Sequence, residues 1–118
     1  MTIDFLEEIK ARLKDMTFRD YQNKTNETVK DTIKGNVNYF ALGLCGEAGE
    51  VADKIKKGLR DGNLDTESLA LELGDVMWYI AQLCQCYDIS MNDVAKKNID
   101  KLFNRKKRDA IGGSGDNR

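Results

Sequence analysis

No proline interrupts the chain, and its apolar residues recur three and four positions apart over long stretches. That combination confines it to amphipathic helices, because a half-buried strand would instead alternate with a period of two. From about residue 38 to 57, Ala41, Leu44, Cys45, Ala48, Val51, Ala52 and Ile55 form one such stripe and predict a core-facing helix. Gly58 is the expected left-handed stop, and Asp61-Gly62-Asn63 reads as a turn. Asp65 or Thr66 then caps a second helix that runs to about Tyr87, with Leu69, Leu73, Val76, Met77, Ile80, Leu83 and Cys84 as its stripe. A third helix opens at Ser90, which with Asp93 resembles a capping box. It carries Met91, Val94, Ala95, Ile99, Leu102 and Phe103, and ends in the basic run Arg105 to Arg108, where the helix dipole favours cations.

The N-terminal part is weaker. Phe5, Leu6, Ile9 and Leu13 mark a short helix, and Thr17 is placed to cap another through Phe18 and Tyr21. Residues 23–34 read as loop with a helical turn. With no alternating segment and no internal repeat, the expected fold is all-α: a bundle of three main helices plus short N-terminal ones. The 118 residues suit one domain, placed at 1–111, followed by a Gly-rich tail at 112–118.

Nineteen Lys and Arg against twenty Asp and Glu leave a net charge of -1, so bulk charge argues for neither nucleic acid nor membrane as partner. No apolar run approaches the roughly 20 residues of a membrane span, and Met1-Thr2-Ile3-Asp4 lacks the features of a secretory leader. The three cysteines, Cys45, Cys84 and Cys86, are an odd set without a CxxC pair. They are expected to be reduced and packed in the core of a cytoplasmic protein.

The absence of histidine narrows the chemistry most. It removes His-based triads and His-ligated zinc or haem, and leaves oxygen ligands, which suit Mg²⁺, Mn²⁺ or Ca²⁺. Glu47 and Glu50 share one helix face, and Glu72 and Asp75 share one on the next. A short turn between the helices predicts antiparallel packing, which lets four carboxylates converge. Two such charges about 4 Å apart repel by roughly 4 kcal/mol at an effective dielectric near 20, a cost that a divalent cation converts into binding. The same spacings also occur in ordinary solvated helices. Gly46, Gly49 and Gly74 beside the carboxylates predict a close approach by backbone or ligand, since helical glycine costs about 1 kcal/mol. Lys54 and Lys57 extend the first acidic stripe, and Tyr79 and Gln82 the second. Asn98, Lys101 and Arg105 form a polar stripe on the third helix. Carboxylates ringed by cations suit a phosphate ligand bridged by a metal.

At these residues the chain resembles the MazG family of all-α nucleoside triphosphate pyrophosphohydrolases. The resemblance lies in Gly43-Leu44-Cys45-Gly46-Glu47-Ala48-Gly49-Glu50-Val51-Ala52, in Leu71-Glu72-Leu73-Gly74-Asp75-Val76-Met77-Trp78-Tyr79 and in Val94 to Leu102, and it covers roughly residues 18 to 108. It implies Mg²⁺-dependent hydrolysis of a (d)NTP to the monophosphate and pyrophosphate, with Mn²⁺ as a substitute metal. It implies Glu47, Glu50, Glu72 and Asp75 as metal ligands, and Lys54, Tyr79, Asn98 and Lys101 as substrate contacts. Arg105 joins these as a further phosphate cation, and Tyr21, Phe40 and Trp78 are candidates to flank the base. Gly46 stands where many members carry a further Glu, so the group that activates water is open between Glu47 and the metal itself.

The single-domain form and the Gly-Ser-Gly-Asp-Asn-Arg ending resemble phage-encoded or stand-alone members, which places the expected site of action in the host cytoplasm. The tail reads as flexible; if ordered, Asn117, Arg118 or the glycine amides would touch substrate or a neighbouring subunit. The resemblance also implies a homodimer or homotetramer. The rival readings are a non-catalytic oligomerising helical module and a nucleotide- or metal-sensing protein that keeps the site without turnover.

Overall fold

The computed structural model describes residues 3–108 and 115–116. It is all-helical, with no strand among the described residues: α1 (Ile3–Leu13), α2 (Phe18–Thr25), α3 (Val37–Asp61), α4 (Thr66–Cys86) and α5 (Met91–Lys107). The expected boundary at residues 111 and 112 lies outside the described residues. No described helix is long and apolar enough to cross a membrane.

The caps follow the side chains available. Thr17 and Asp20 form a reciprocal capping box at α2. Asn36 caps α3 through the Tyr39 amide, and Asp65 caps α4 through the amides of Glu67 and Ser68. Two expectations fail. Helix α3 runs through Gly58 and stops at Gly62, whose φ of 75° is the left-handed one. Gly58 has a packing role instead, because a Cβ there would meet Leu64 side-chain atoms at 3.1 Å. Ser90 does precede α5, but its side chain makes no capping bond. The first amide of α5, on Met91, is taken by Gln22 Oε1 at 2.8 Å.

Helices α3 and α4 form the main pair. Lys54 meets Ser68, and the backbone positions of Gly43 and Gly58 lie against Tyr79 and Leu64. Numbers that rise along α3 therefore fall along α4, as antiparallel packing requires. Helix α2 is fastened to α4 and α5 by buried amides. Gln22 Nε2 donates to Gln85 Oε1 and to the Ile89 carbonyl, and Gln82 Nε2 donates to Thr25 Oγ1 at 2.9 Å. These bonds satisfy polar groups that would be costly to bury alone. The small core beneath comprises Ala81, Cys84 and Met91, with Tyr21 and Ile80 packed on it, while Phe40 is fully buried among Tyr39, Trp78 and Tyr79.

Of the α3 stripe read as core, Leu44 and Val51 are half-buried and the rest is uncovered. Ala41, Cys45, Ala48, Ala52, Ile55 and Leu59 recur at alternating steps of four and three, and all are exposed in the single chain. Leu59 is 81% exposed. Cys45 is thus a surface thiol, Cys84 is buried and Cys86 half-buried. The radius of gyration is 17.5 Å, against about 13.5 Å for a compact chain of this length. The surface area is 9128 Å², against roughly 6,500 Å² for a compact chain of this mass.

Candidate metal and nucleotide site

The α3–α4 register sets Glu47 opposite Asp75 and Glu50 opposite Glu72. Glu47, Glu72 and Asp75 each offer a carboxylate oxygen, and these lie within 4.8 Å of one another. Glu47 and Glu72 are half-buried and Asp75 is exposed, so the cluster opens to solvent on one side. Burial pushes the Glu47 carboxyl above its usual range, and the charges of Asp75, Glu72 and Glu50 push it the same way. The donor set is all-oxygen and anionic, which fits a hard divalent cation.

Glu50 is outside this triad. It lines an adjoining polar cavity of about 500 Å³ with Lys54, Lys57, Asp53, Asp65 and Glu72. Lys54 donates to Ser68 Oγ, and its Nζ lies 4.0 Å from Glu72 Oε1. It is held at the rim of the acidic cluster. Lys57 is turned to Asp53, 2.7 Å away. On the other side of the triad a recess of about 310 Å³ is lined by Glu47, Asp75, Trp78 and Tyr79.

The aromatic wall of that recess is fixed from below. Trp78 Nε1 donates to Thr28 Oγ1 at 2.7 Å. The Trp78 and Tyr79 rings meet edge to face with centroids 5.1 Å apart. Burial, a hydrogen bond with Tyr39, and the charges of Glu47 and Asp75 all raise the Tyr79 hydroxyl pKa. Tyr21 donates to the Gly74 carbonyl at 3.4 Å, and burial beside Asp75 raises its pKa too. Of the three aromatics proposed to flank a base, Trp78 lines the recess, Tyr21 lies behind Gly74 and Phe40 is core.

Within the chain nothing closes on the glycines beside the carboxylates: a Cβ at Gly46, Gly49 or Gly74 would meet nothing within 4 Å, whereas one at Gly43 would run into the Tyr79 ring. The close approach that glycine permits inside the chain is one turn from the carboxylates, where α3 makes room for the aromatic wall. Gln82 follows the acidic stripe in sequence but is spent on Thr25 and Asn26.

Helix α5 does not complete the site within one chain as described. Asn98 is exposed, and Lys101 and Arg105 bind Asp116. Arg118 and Asn117 lie outside the described residues, as do the glycine amides of 112 and 113. The partners Ser68, Tyr39, Thr28 and Asp116 were not singled out from sequence. Ser68 and Tyr39 each stand four residues before a recognised position, Glu72 and Gly43, so helical spacing could have found them. Thr28 and Asp116 come from irregular segments that carry no such signal.

The family model for the MazG nucleotide pyrophosphohydrolase domain matches residues 37–109, more than half of the chain, including every carboxylate of the site. The chain is also similar to the Gene 37 protein of Mycobacterium phage L5, with 50% identity over 93 residues covering 75% of this chain and 81% of that protein. No solved structure matches it significantly.

Proposed function

The chain belongs to the MazG nucleotide pyrophosphohydrolase family, and on that premise we propose that it is a magnesium-dependent enzyme converting a (d)NTP to the (d)NMP and pyrophosphate. The observation that carries this reading is the Glu47–Glu72–Asp75 triad, with Lys54 on one flank and an aromatic recess on the other. These three carboxylates would hold Mg²⁺, or Mn²⁺ in its place, with Glu50 contributing from the adjoining cavity. When bound, the cation supplies charge neutralisation of the triphosphate and acidifies water in its reach.

The chain's own residues do the rest. Trp78 and Tyr79 receive the nucleoside against an aromatic face. Lys54, fixed by Ser68 and Glu72, balances charge on the phosphate oxygens. Glu47 orients the attacking water and accepts its proton. The water oxygen bonds to the α-phosphorus, the bond from α-phosphorus to the bridging oxygen breaks, and pyrophosphate leaves with the electron pair.

The exposed α3 stripe supports self-association. Its heptad-like spacing, with Ile55 and the 81%-exposed Leu59 on it, suits an interface between copies of the chain. We therefore read the working form as a homodimer or a dimer of dimers. The phage relative supports action in a host cytoplasm.

The test is a screen of all NTPs and dNTPs for pyrophosphate release with Mg²⁺, beside a nucleotide-binding readout. Release that vanishes in Asp75→Ala with helicity retained is the expected result. Nucleotide binding without release in the wild type would replace this reading by a sensing role, and neither binding nor release by an oligomerising module.

A further inference from the structure

Thr28 stands in the turn that follows α2, outside residues 37–109 of the matched family domain. Its hydroxyl is used twice. It donates to the Thr25 carbonyl at 2.8 Å, where the Thr28 amide also donates at 3.0 Å, and it accepts from Trp78 Nε1 at 2.7 Å. A hydroxyl has one proton, so the bond to Thr25 leaves its lone pairs for the indole. Thr25 repeats the pattern one turn earlier. It donates to the Gln22 carbonyl at 2.7 Å and accepts from Gln82 Nε2 at 2.9 Å. Trp78 and Gln82 stand four apart on one face of α4, so the two threonines and the two α4 side chains make a pair of rungs.

The rungs differ in burial. Thr25 and Gln82 are 3% and 2% exposed. An unmet amide there would be costly, so the inner rung holds the fold. Thr28 is exposed and Trp78 half-buried. Water can meet both groups when their bond is broken, so the outer rung adds little to stability. What it fixes is an orientation. Indole has a single polar atom. With that atom tied to Thr28, the ring is held as a wall of the recess it shares with Glu47, Asp75 and Tyr79.

We propose that Thr28 is a positioning residue for nucleotide binding: its hydroxyl holds Trp78 Nε1 and so keeps the indole in the orientation that receives the nucleoside. The inference rests on the nucleotide reading above. On a helix a long side chain keeps two χ1 wells, and χ2 of tryptophan is broad and roughly two-fold. An unpinned indole therefore spreads over about four orientations, and affinity falls with the fraction left in the competent one, about two- to fourfold.

The test joins kinetics to the fluorescence of Trp78, the chain's single tryptophan. Pyrophosphate release from each dNTP is followed with Mg²⁺, and quenching of Trp78 by each dNMP gives nucleotide affinity without turnover. Thr28→Val is expected to raise KM about two- to fourfold at unchanged kcat and to weaken dNMP quenching by the same factor. It is also expected to lower the anisotropy of Trp78 in the free protein with helicity retained. Thr28→Ser keeps the hydroxyl and is expected to match wild type. In a Trp78→Phe background there is no N–H to hold, and Thr28→Val is expected to change KM no further. Unchanged KM and quenching in Thr28→Val overturns the proposal, as does an equal loss in Thr28→Ser or a loss repeated in the Trp78→Phe background. Unfolding of Thr28→Val overturns it too, since the outer rung would then hold the fold. A wild type that turns nucleotide over no better than Thr28→Val sinks the positioning role and leaves the enzymatic reading standing. A wild type that shows neither release nor quenching sinks both.

Discussion

Replacing Glu72 by Gln is expected to stabilise the protein in chelator and to leave it less stable than wild type in Mg²⁺. The substitution keeps shape and removes one charge from the triad. Glu72 faces Glu47 and Asp75 with oxygens within 4.8 Å, and one compensating cation, Lys54, at 4.0 Å. At 4.8 Å each repulsion is about 0.9 kcal/mol in a water-like medium and about 3.5 kcal/mol at an effective dielectric near 20. The Lys54 attraction offsets about one of the two. The Glu72 side chain is 24% exposed and Asp75 is open to solvent, which favours the lower figure. A net gain of about 1 kcal/mol corresponds to a rise in Tm of about 3–5 °C for a chain of this size. In Mg²⁺ at about a hundred times its Kd, wild type gains about 2.7 kcal/mol by linkage. The variant, short of one ligand, forfeits most of this, and the order of stabilities reverses. Thermal unfolding in chelator and across a Mg²⁺ series reads both signs. If the Glu72→Gln variant melts below wild type in chelator, or gains as much from Mg²⁺, that would refute the reasoning that these carboxylates are held together for a cation.

Glu47 gives a pH signature. Its folded pKa lies above the ordinary 4.5, so the folded state binds the proton more tightly, and stability is lost as pH rises from 4.5 through the raised value. In chelator, wild type is expected to lose stability relative to Glu47→Gln over that window; a constant gap would contradict it. Gly43→Ala gains about 1 kcal/mol of helix propensity but drives a methyl into the Tyr79 ring. A net loss of about 1–3 kcal/mol in urea unfolding is expected, relieved by a second change, Tyr79→Ala. Ala52→Glu sits at an exposed position of the single chain, where a monomer would tolerate it within about 0.5 kcal/mol. Sedimentation is expected instead to show dissociation and a concentration-dependent Tm.

The parts of the fold legible in the sequence are those governed by local periodicity. The α3 and α4 helices and the caps at Thr17 and Asp65 depend on residues within one or two turns of each other, and all are present. Gly58 shows the limit. Glycine ends a helix where it takes the left-handed conformation, which Gly62 does, while Gly58 stays helical and Leu64, returning after the turn, packs against its missing Cβ. The Ser90 box is absent too, and the α5 terminus is served instead by Gln22, 69 positions before Met91 in the chain, which takes the Met91 amide.

The α3 stripe carries the larger lesson. Apolar periodicity says that a face will be removed from water; it does not say which chain removes it. Ala41, Cys45, Ala48, Ala52, Ile55 and Leu59 have the pattern of a core and the exposure of a surface. The acidic face lies on the same two helices, turned toward the α3–α4 seam, so α3 has one face for carboxylates and another left uncovered in the single chain. Three carboxylates within 4.8 Å push the two helices apart at the seam, and a chain with so small a core of its own has little with which to resist. Packing a second copy on the opposite face would brace α3 against that repulsion while leaving the open side of the triad to solvent. On this reasoning assembly and metal binding stabilise the same helix pair from opposite sides: Mg²⁺ should tighten self-association, and dilution should weaken Mg²⁺ binding by the same factor.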